Sequence, residues 1–368
     1  MIEAFSDTTG SDRASSISRV YLGSYNSSNS ISMLPAHPHI FYGRDSEILD
    51  ILQLFSQETP RIAILGGGGM GKTSLARAII HHTEITAQYK QQRFFVTCDS
   101  AGTQVELAAL IGVHVGLKPG KDLTAPVIQY FSGSQPCLLI LDNFETLWEP
   151  TESRGNIEEF LSLLTGVHHL ALIITMRGAE RPAKVAWSRP FLQPLKPLQQ
   201  DAAWQTFIDI ADNTHDPELV TKVLSLTDNM PLVINLVAHL VDAEDCSTVL
   251  SRWEEEKTLL ISDGHDKRSN LDLSLSLSLS SPRLDSFPHS KDLLSLLSML
   301  PDGLSDVELM QAKLPIDNIL GCKVALIRTS LAYSDEYKRL RSLVPIREYM
   351  QKIQPPGNEL VQPLLKYF

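Results

Sequence analysis

Gly66-x-x-x-x-Gly71-Lys72-Thr73 is the spacing in this sequence with the clearest chemistry. Glycines lack a Cβ, so successive backbone N–H groups can turn inward as an anion-binding nest, and a helix starting there adds its partial positive charge. The lysine after the last glycine can reach the outer phosphates of a nucleotide, and the hydroxyl after it can ligate Mg²⁺. The run Gly66, Gly67, Gly68, Gly69, Met70, Gly71, Lys72, Thr73 and Ser74 is therefore a candidate phosphate cradle, with Thr73 its metal ligand. A flexible glycine-rich linker would need neither the Gly-Lys-Thr ending nor ordered flanks. Here the flanks are an apolar strand, Ile62-Ala63-Ile64-Leu65, and a helix whose inward face carries Leu75, Ala76, Ala78, Ile79 and Ile80.

Short apolar strands alternate with helices after this loop: a strand at 94–97, a helix near 104–112, a strand at 137–141, a helix at 157–164 and a strand at 170–175. That alternation predicts a parallel sheet flanked by helices, with the ligand at the strands' C-terminal ends. The third strand ends in Asp142, where a carboxylate can hold Mg²⁺ through water beside the phosphate loop. Taken alone, Asp-Asn-Phe would serve equally as a turn after a core strand. Ahead of the loop, Phe41-Tyr42-Gly43-Arg44 reads as a turn before a helix.

At 368 residues, 43% hydrophobic and 20% charged, the chain can fill two or three globular domains. No apolar run approaches the ~18 residues a membrane span needs. The opening MIEAFSDTTGSD is acidic and polar where a secretory signal is basic and then apolar. A soluble, cytoplasmic protein is expected. Cys98, Cys137, Cys246 and Cys322 have neither metal-ligand nor redox spacing and read as reduced thiols. A net charge of −11 argues against broad electrostatic binding to nucleic acid or anionic membrane. Residues 1–37, polar and without apolar periodicity, predict a disordered leader.

Together these motifs resemble the STAND group of P-loop ATPases, in particular the NB-ARC-type switch module of NLR-like receptors and their fungal relatives. The resemblance runs from about Phe41 to Tyr349 with its parts in the family's order. It implies an α/β P-loop NTPase domain at 38–194, a helical domain at 195–262 and a winged-helix domain at 263–368. Gly43 and Arg44 would contact the adenine side, and Arg177, after an apolar strand, would read the γ-phosphate. Pro231 of Asn229-Met230-Pro231-Leu232 would pack on adenine. By itself Arg177 could be a solvated strand end, and Pro231 an ordinary helix-starting proline.

Residue type in the last third of the chain pulls against this likeness at two points. The period-two run 271–280 alone predicts a strand, whereas the resemblance implies a helix entering the last domain, followed there by helices at 291–300 and 306–312 and by a hairpin with strands at 329–333 and 339–343. A winged helix could grip DNA, yet residues 263–368 carry 13 Lys/Arg against 13 Asp/Glu, which points to an intramolecular lid.

Two departures from the family pattern carry chemistry. Asn143 replaces the second acid after Asp142; an amide cannot take a proton, so the general base is Glu145 or absent, and slow hydrolysis is expected. Leu343-Val344-Pro345 stands where the family has Met-His-Asp, so the off state needs another lock, for which Arg347 is a candidate. The resemblance implies a switch that holds ADP when closed and Mg-ATP when open, with self-association or protein partners in the ATP state. A turning-over AAA+-like ATPase that grips DNA or protein is the alternative, and a truncated nucleotide-binding module is a third reading.

Overall fold

In the computed structural model, which describes residues 34–57, 59–256 and 271–368, β1 (Arg61–Gly66), β2 (Arg93–Thr97), β3 (Cys137–Asp142) and β4 (Leu170–Arg177) form a parallel sheet in the order β1-β4-β3-β2. Alternate residues feed two cores. Ile62, Ile64, Leu138 and Ile140 face one side, while Ala63, Leu65, Leu139 and Leu141 face the other. Burial on both faces is why these strands read as continuous apolar runs. β4 lies between β1 and β3, so the end of β4 is delivered between the phosphate loop and Asp142. At the outer edge of β1, the Leu195 N–H donates to the Leu65 carbonyl at 2.8 Å.

After the sheet come four helices, Gln200–Ala211, Pro217–Thr227, Pro231–Ala243 and Cys246–Glu256. Their buried Phe207, Val223, Ile234 and Trp253 belong to the same core as Ile62 and Ile64. The C-terminal segment holds helices Leu271–Leu279, Ser290–Ser298, Asp306–Gln311, Ile319–Arg328, Val344–Ile353 and Asn358–Tyr367. Between Ile319–Arg328 and Val344–Ile353, β5 (Tyr333–Ser334) and β6 (Leu340–Arg341) make a short antiparallel hairpin. No described helix is long and apolar enough to cross a membrane.

Several expectations are corrected. The run at 271–280 needs no correction: against its period-two pattern it is helical at Leu271–Leu279, as the resemblance implies, because Leu271, Leu275 and Leu279 recur every four residues and are all buried, which leaves Leu277 exposed. The hairpin strands are two residues each, since the buried Thr329 continues the turn that ends the preceding helix through its hydroxyl bond to the Ala325 carbonyl. The helix expected at 157–164 begins at Thr151, six residues earlier, through a polar first half that carries no apolar signal. Helices Thr83–Tyr89 and Thr124–Gly133 were not anticipated. Of the expected leader, residues 1–33 lie outside the described residues. Residues 35 and 36 are held: the Pro35 and Ala36 carbonyls meet His81 Nε2 at 2.6 Å and Arg77 Nε at 2.8 Å.

Gly43 sits at φ +67, and a Cβ built on it would lie 2.3 Å from the Ala202 Cβ. The turn therefore needs glycine twice over, for its backbone and for the approach of the helix Gln200–Ala211. Gly43→Ala is expected to lower unfolding free energy by about 2–4 kcal/mol in urea titrations, combining left-handed strain with overpacking. A loss under about 0.5 kcal/mol would show that the helix yields freely at this point.

Candidate functional site

The loop between β1 and the helix Lys72–His81 turns through Gly69 at φ +76 and Gly71 at φ +84, and Gly71 ends it as the left-handed N-cap of that helix. Those angles suit glycine alone, which is the physical content of the spacing. Lys72 is buried and folds back onto the loop, its Nζ donating to the Gly66 carbonyl at 3.0 Å and the Gly67 carbonyl at 2.7 Å. The Thr73 hydroxyl lies 2.9 and 3.1 Å from the two oxygens of Asp142.

A Thr hydroxyl and a fully buried carboxylate in direct contact are the hard oxygen donors that Mg²⁺ takes. Among the described residues no group of three His, Cys, Asp or Glu side chains could hold a metal. A divalent ion here would therefore rest on Thr73, Asp142, water and the ligand's own oxygens, an arrangement usual for Mg²⁺ on a nucleotide. The residues fit that group. When bound, it would neutralise phosphate charge and orient the terminal phosphate.

Strand β4 supplies two groups at this point. The Thr175 hydroxyl donates to Asp142 Oδ1 at 2.6 Å and accepts the Asn143 N–H at 3.0 Å, which fixes the carboxylate's orientation. Thr175 was not singled out from the sequence. It lies two residues before Arg177 on the same face of β4, and that spacing was the available signal.

Arg177 is not presented alone. Its Nε donates to Glu145 Oε1 at 3.1 Å, its backbone N–H to Glu145 Oε2 at 3.3 Å, and its Nη1 to the Ser278 hydroxyl at 2.9 Å. Both oxygens of Glu145, the candidate base, are thereby engaged. Asn143 adopts φ +58, a left-handed conformation that Asn tolerates well, and its amide reaches Asp99 at 3.1 Å. Behind the site, burial followed by the nearby charges of Asp142 and Glu145 pushes the Cys98 thiol well above its ordinary value.

These groups open on a cavity of about 270 Å³. Gly68, Gly69, Gly71, Lys72, Thr73 and Ser74 of the loop and helix start line it together with Asn143, Glu145, Arg177 and Pro231. Leu232 N donates to the Gly69 carbonyl at 3.1 Å, which seats the start of the helix Pro231–Ala243 on the loop. Arg77, Leu232 and Asn235 also line the cavity; Leu232 belongs to the Asn229–Leu232 motif, whereas nothing in the sequence marks Arg77 or Asn235.

Gly43 and Arg44 do not line it. Arg44 is buried, and its guanidinium donates to the carbonyls of Met70 at 3.1 Å and Lys196 at 2.7 Å and to Glu47 at 2.8 Å, so it braces the loop from behind. Gly66, Gly67 and Met70 carry the loop's backbone rather than line this cavity.

A family model described as novel STAND NTPase 1 matches residues 32–242, more than half of the chain. The chain belongs to this STAND family. Among solved structures, this STAND NTPase is similar to the Walker-type ATPase of Pyrococcus abyssi, with 13% identity and a TM-score of 0.59 over 85% of this chain and 96% of that one. It also matches a STAND protein with a tetratricopeptide repeat sensor from Pyrococcus horikoshii, at 15% identity and a TM-score of 0.40 over 91% of this chain and 46% of that one. The ORC1 protein of Aeropyrum pernix, solved in complex with DNA, matches at 12% identity and a TM-score of 0.47 over 89% of this chain and 95% of that one. No curated protein sequence matches this one. The family makes the protein a P-loop NTPase, and the first of these structures shares its fold.

Proposed function

We propose that the protein is an ADP/ATP-operated switch of the NB-ARC kind. In this reading residues 38–194 are the nucleotide-binding domain, 195–262 a helical domain and 263–368 a winged-helix lid. The observation that carries it is that C-terminal elements close directly on the phosphate-site machinery. Arg177, at the end of β4, bonds Ser278, and Ala179 N donates to the Arg328 carbonyl at 3.1 Å. A contact made by the γ-phosphate end of the site can then bias the lid only through different affinity for the closed and open arrangements.

Leu343-Val344-Pro345 opens the helix Val344–Ile353, and its first N–H is taken by Asp228 Oδ2 at 2.6 Å. Asp228 lies three residues before the cavity-lining Pro231, so the turn that leads into the cavity also caps the lid's helix. This contact stands where the family pattern has its histidine lock. Arg347, the earlier candidate, is not among the residues lining the cavity.

Slow hydrolysis follows from Asn143, which cannot accept a proton, and from Glu145, whose two oxygens are both engaged by Arg177. The basic hairpin is turned on its own segment: Arg339 pairs with Glu308 at 3.0 Å and Arg341 lies 3.7 Å from Asp335. That supports a lid over a DNA grip. Opening with ATP would free surfaces for self-association or protein partners.

The deciding experiment denatures the purified protein and identifies the released nucleotide by ion-exchange chromatography. Near-stoichiometric ADP is expected. An empty site together with steady turnover of added Mg-ATP would replace the switch with a turning-over ATPase.

A further inference from the structure

The two ends of the nucleotide cavity differ in chemistry. Asn143, Glu145 and Arg177 form the end beside the Thr73–Asp142 pair, the side where metal and terminal phosphate belong. Two helices that both start at the cavity supply further lining residues. Thr73 and Arg77 are four residues apart on one helix, and Pro231 and Asn235 four apart on the other, so Arg77 and Asn235 stand about 6 Å along their helices from the phosphate end. A nucleoside joined to phosphates at Lys72 must lie against these walls, and Arg77 is the cation among them.

Arg77 is also prepositioned. Its Nε donates to the Ala36 carbonyl at 2.8 Å, and one turn on His81 Nε2 meets the Pro35 carbonyl at 2.6 Å, so the backbone at residues 35–36 straps the helix that carries both. The stem of Arg77 is thus fixed, while among the described residues its Nη1 and Nη2 have no hydrogen-bond partner. A tethered guanidinium plane in a cavity also lined by the apolar Pro231 and Leu232 is suited to lie on the face of a purine ring.

We propose that Arg77 is the base-stacking residue of this site, its guanidinium covering one face of the nucleobase opposite Pro231 and Leu232, and that the strap at Pro35–Ala36 holds it there. This rests on the nucleotide-switch reading. It assigns Arg77 a contact with the base and none with the phosphates.

The test compares ADP with inorganic pyrophosphate by isothermal titration calorimetry on the full chain stripped of nucleotide, as wild type, Arg77→Ala and Arg77→Lys. Loss of a cation–π stack weakens ADP about 3- to 30-fold in Arg77→Ala. Pyrophosphate affinity stays within about twofold, and Arg77→Lys, which keeps the charge but loses the plane, recovers only part of the ADP affinity. Arg77 is partly exposed, so thermal melting without nucleotide should match wild type within a few degrees. Equal losses for ADP and pyrophosphate, with recovery of both in Arg77→Lys, would make it a phosphate contact and overturn the proposal. Unchanged ADP affinity in Arg77→Ala would overturn it as well. If the wild-type chain bound neither ligand, the fault would lie with the nucleotide-site reading itself.

Discussion

Lys72→Ala is expected to lose ADP and ATP affinity by about 100-fold or more while the chain still folds. A lysine facing two phosphate groups makes charge-assisted bonds of roughly 1.5–3 kcal/mol each, and about 1.4 kcal/mol is tenfold in affinity, so losing two such bonds reaches that factor. Without ligand, Lys72 donates to the carbonyls of Gly66 and Gly67. Lys72 itself lines the cavity, so water can take the place of its ammonium on those carbonyls, and the cost to folding should stay at about 1 kcal/mol. Calorimetric titration with each nucleotide checks the first half, and urea unfolding of the nucleotide-free protein the second. Affinity within threefold of wild type would remove the phosphate site from this loop.

That site was the most legible part of the chain because its determinants are local. A strand, six glycine-rich positions and a helix lie within about twenty consecutive residues, and backbone geometry demands glycine at Gly69 and Gly71. Asp142 was legible for a related reason: β3 is fully buried, and a carboxylate closing such a strand calls for a partner. What the sequence hid is long-range. Glu145 and Arg177 are 32 residues apart and were each assigned separate chemistry, yet each engages the other. The Asp228 cap on Val344 spans 116 residues. Neither pairing leaves a periodic or compositional trace. The period-two leucines alone point to a strand, yet Leu271, Leu275 and Leu279 also satisfy helical spacing, and the helix implied by the resemblance buries all three. Gly43 and Arg44 illustrate the reverse case, two residues whose motif suggests ligand contact: Gly43 packs against Ala202, and Arg44 braces the loop through the Met70 carbonyl.

Arg283→Ala is expected to destabilise the chain by about 2 kcal/mol at neutral pH, and by less as the pH falls. Arg283 lies on the C-terminal side, with its guanidinium 5.0 Å from the Trp148 ring centroid, 3.5 Å from Glu149 and 4.0 Å from Glu180, and its Nη1 donates to the Arg328 carbonyl at 3.1 Å. Burial pushes the Glu149 carboxyl up despite the attraction of Arg283, and burial lowers Arg283 despite Glu149. The pair is thus only partly compensated, and its separation is longer than a good charge-assisted bond, which places the estimate below the 3–5 kcal/mol seen when a fully buried pair is broken. Removing the arginine leaves a buried carboxylate with its main cation gone, so its folded-state value should rise further. A raised acid binds more protons folded than unfolded, so stability is greatest below the unfolded value, 4.5 for Glu149, and falls as the pH climbs through the folded value. The deficit of Arg283→Ala against wild type should therefore be full near pH 8 and reduced near about pH 5 in parallel thermal melts. Because this cluster joins Glu149 and Glu180 to the C-terminal segment, the variant should also release ADP faster at neutral pH if that segment is the lid. A deficit that did not change with pH would assign Arg283's contribution to its stacking on Trp148 rather than to the ion pair.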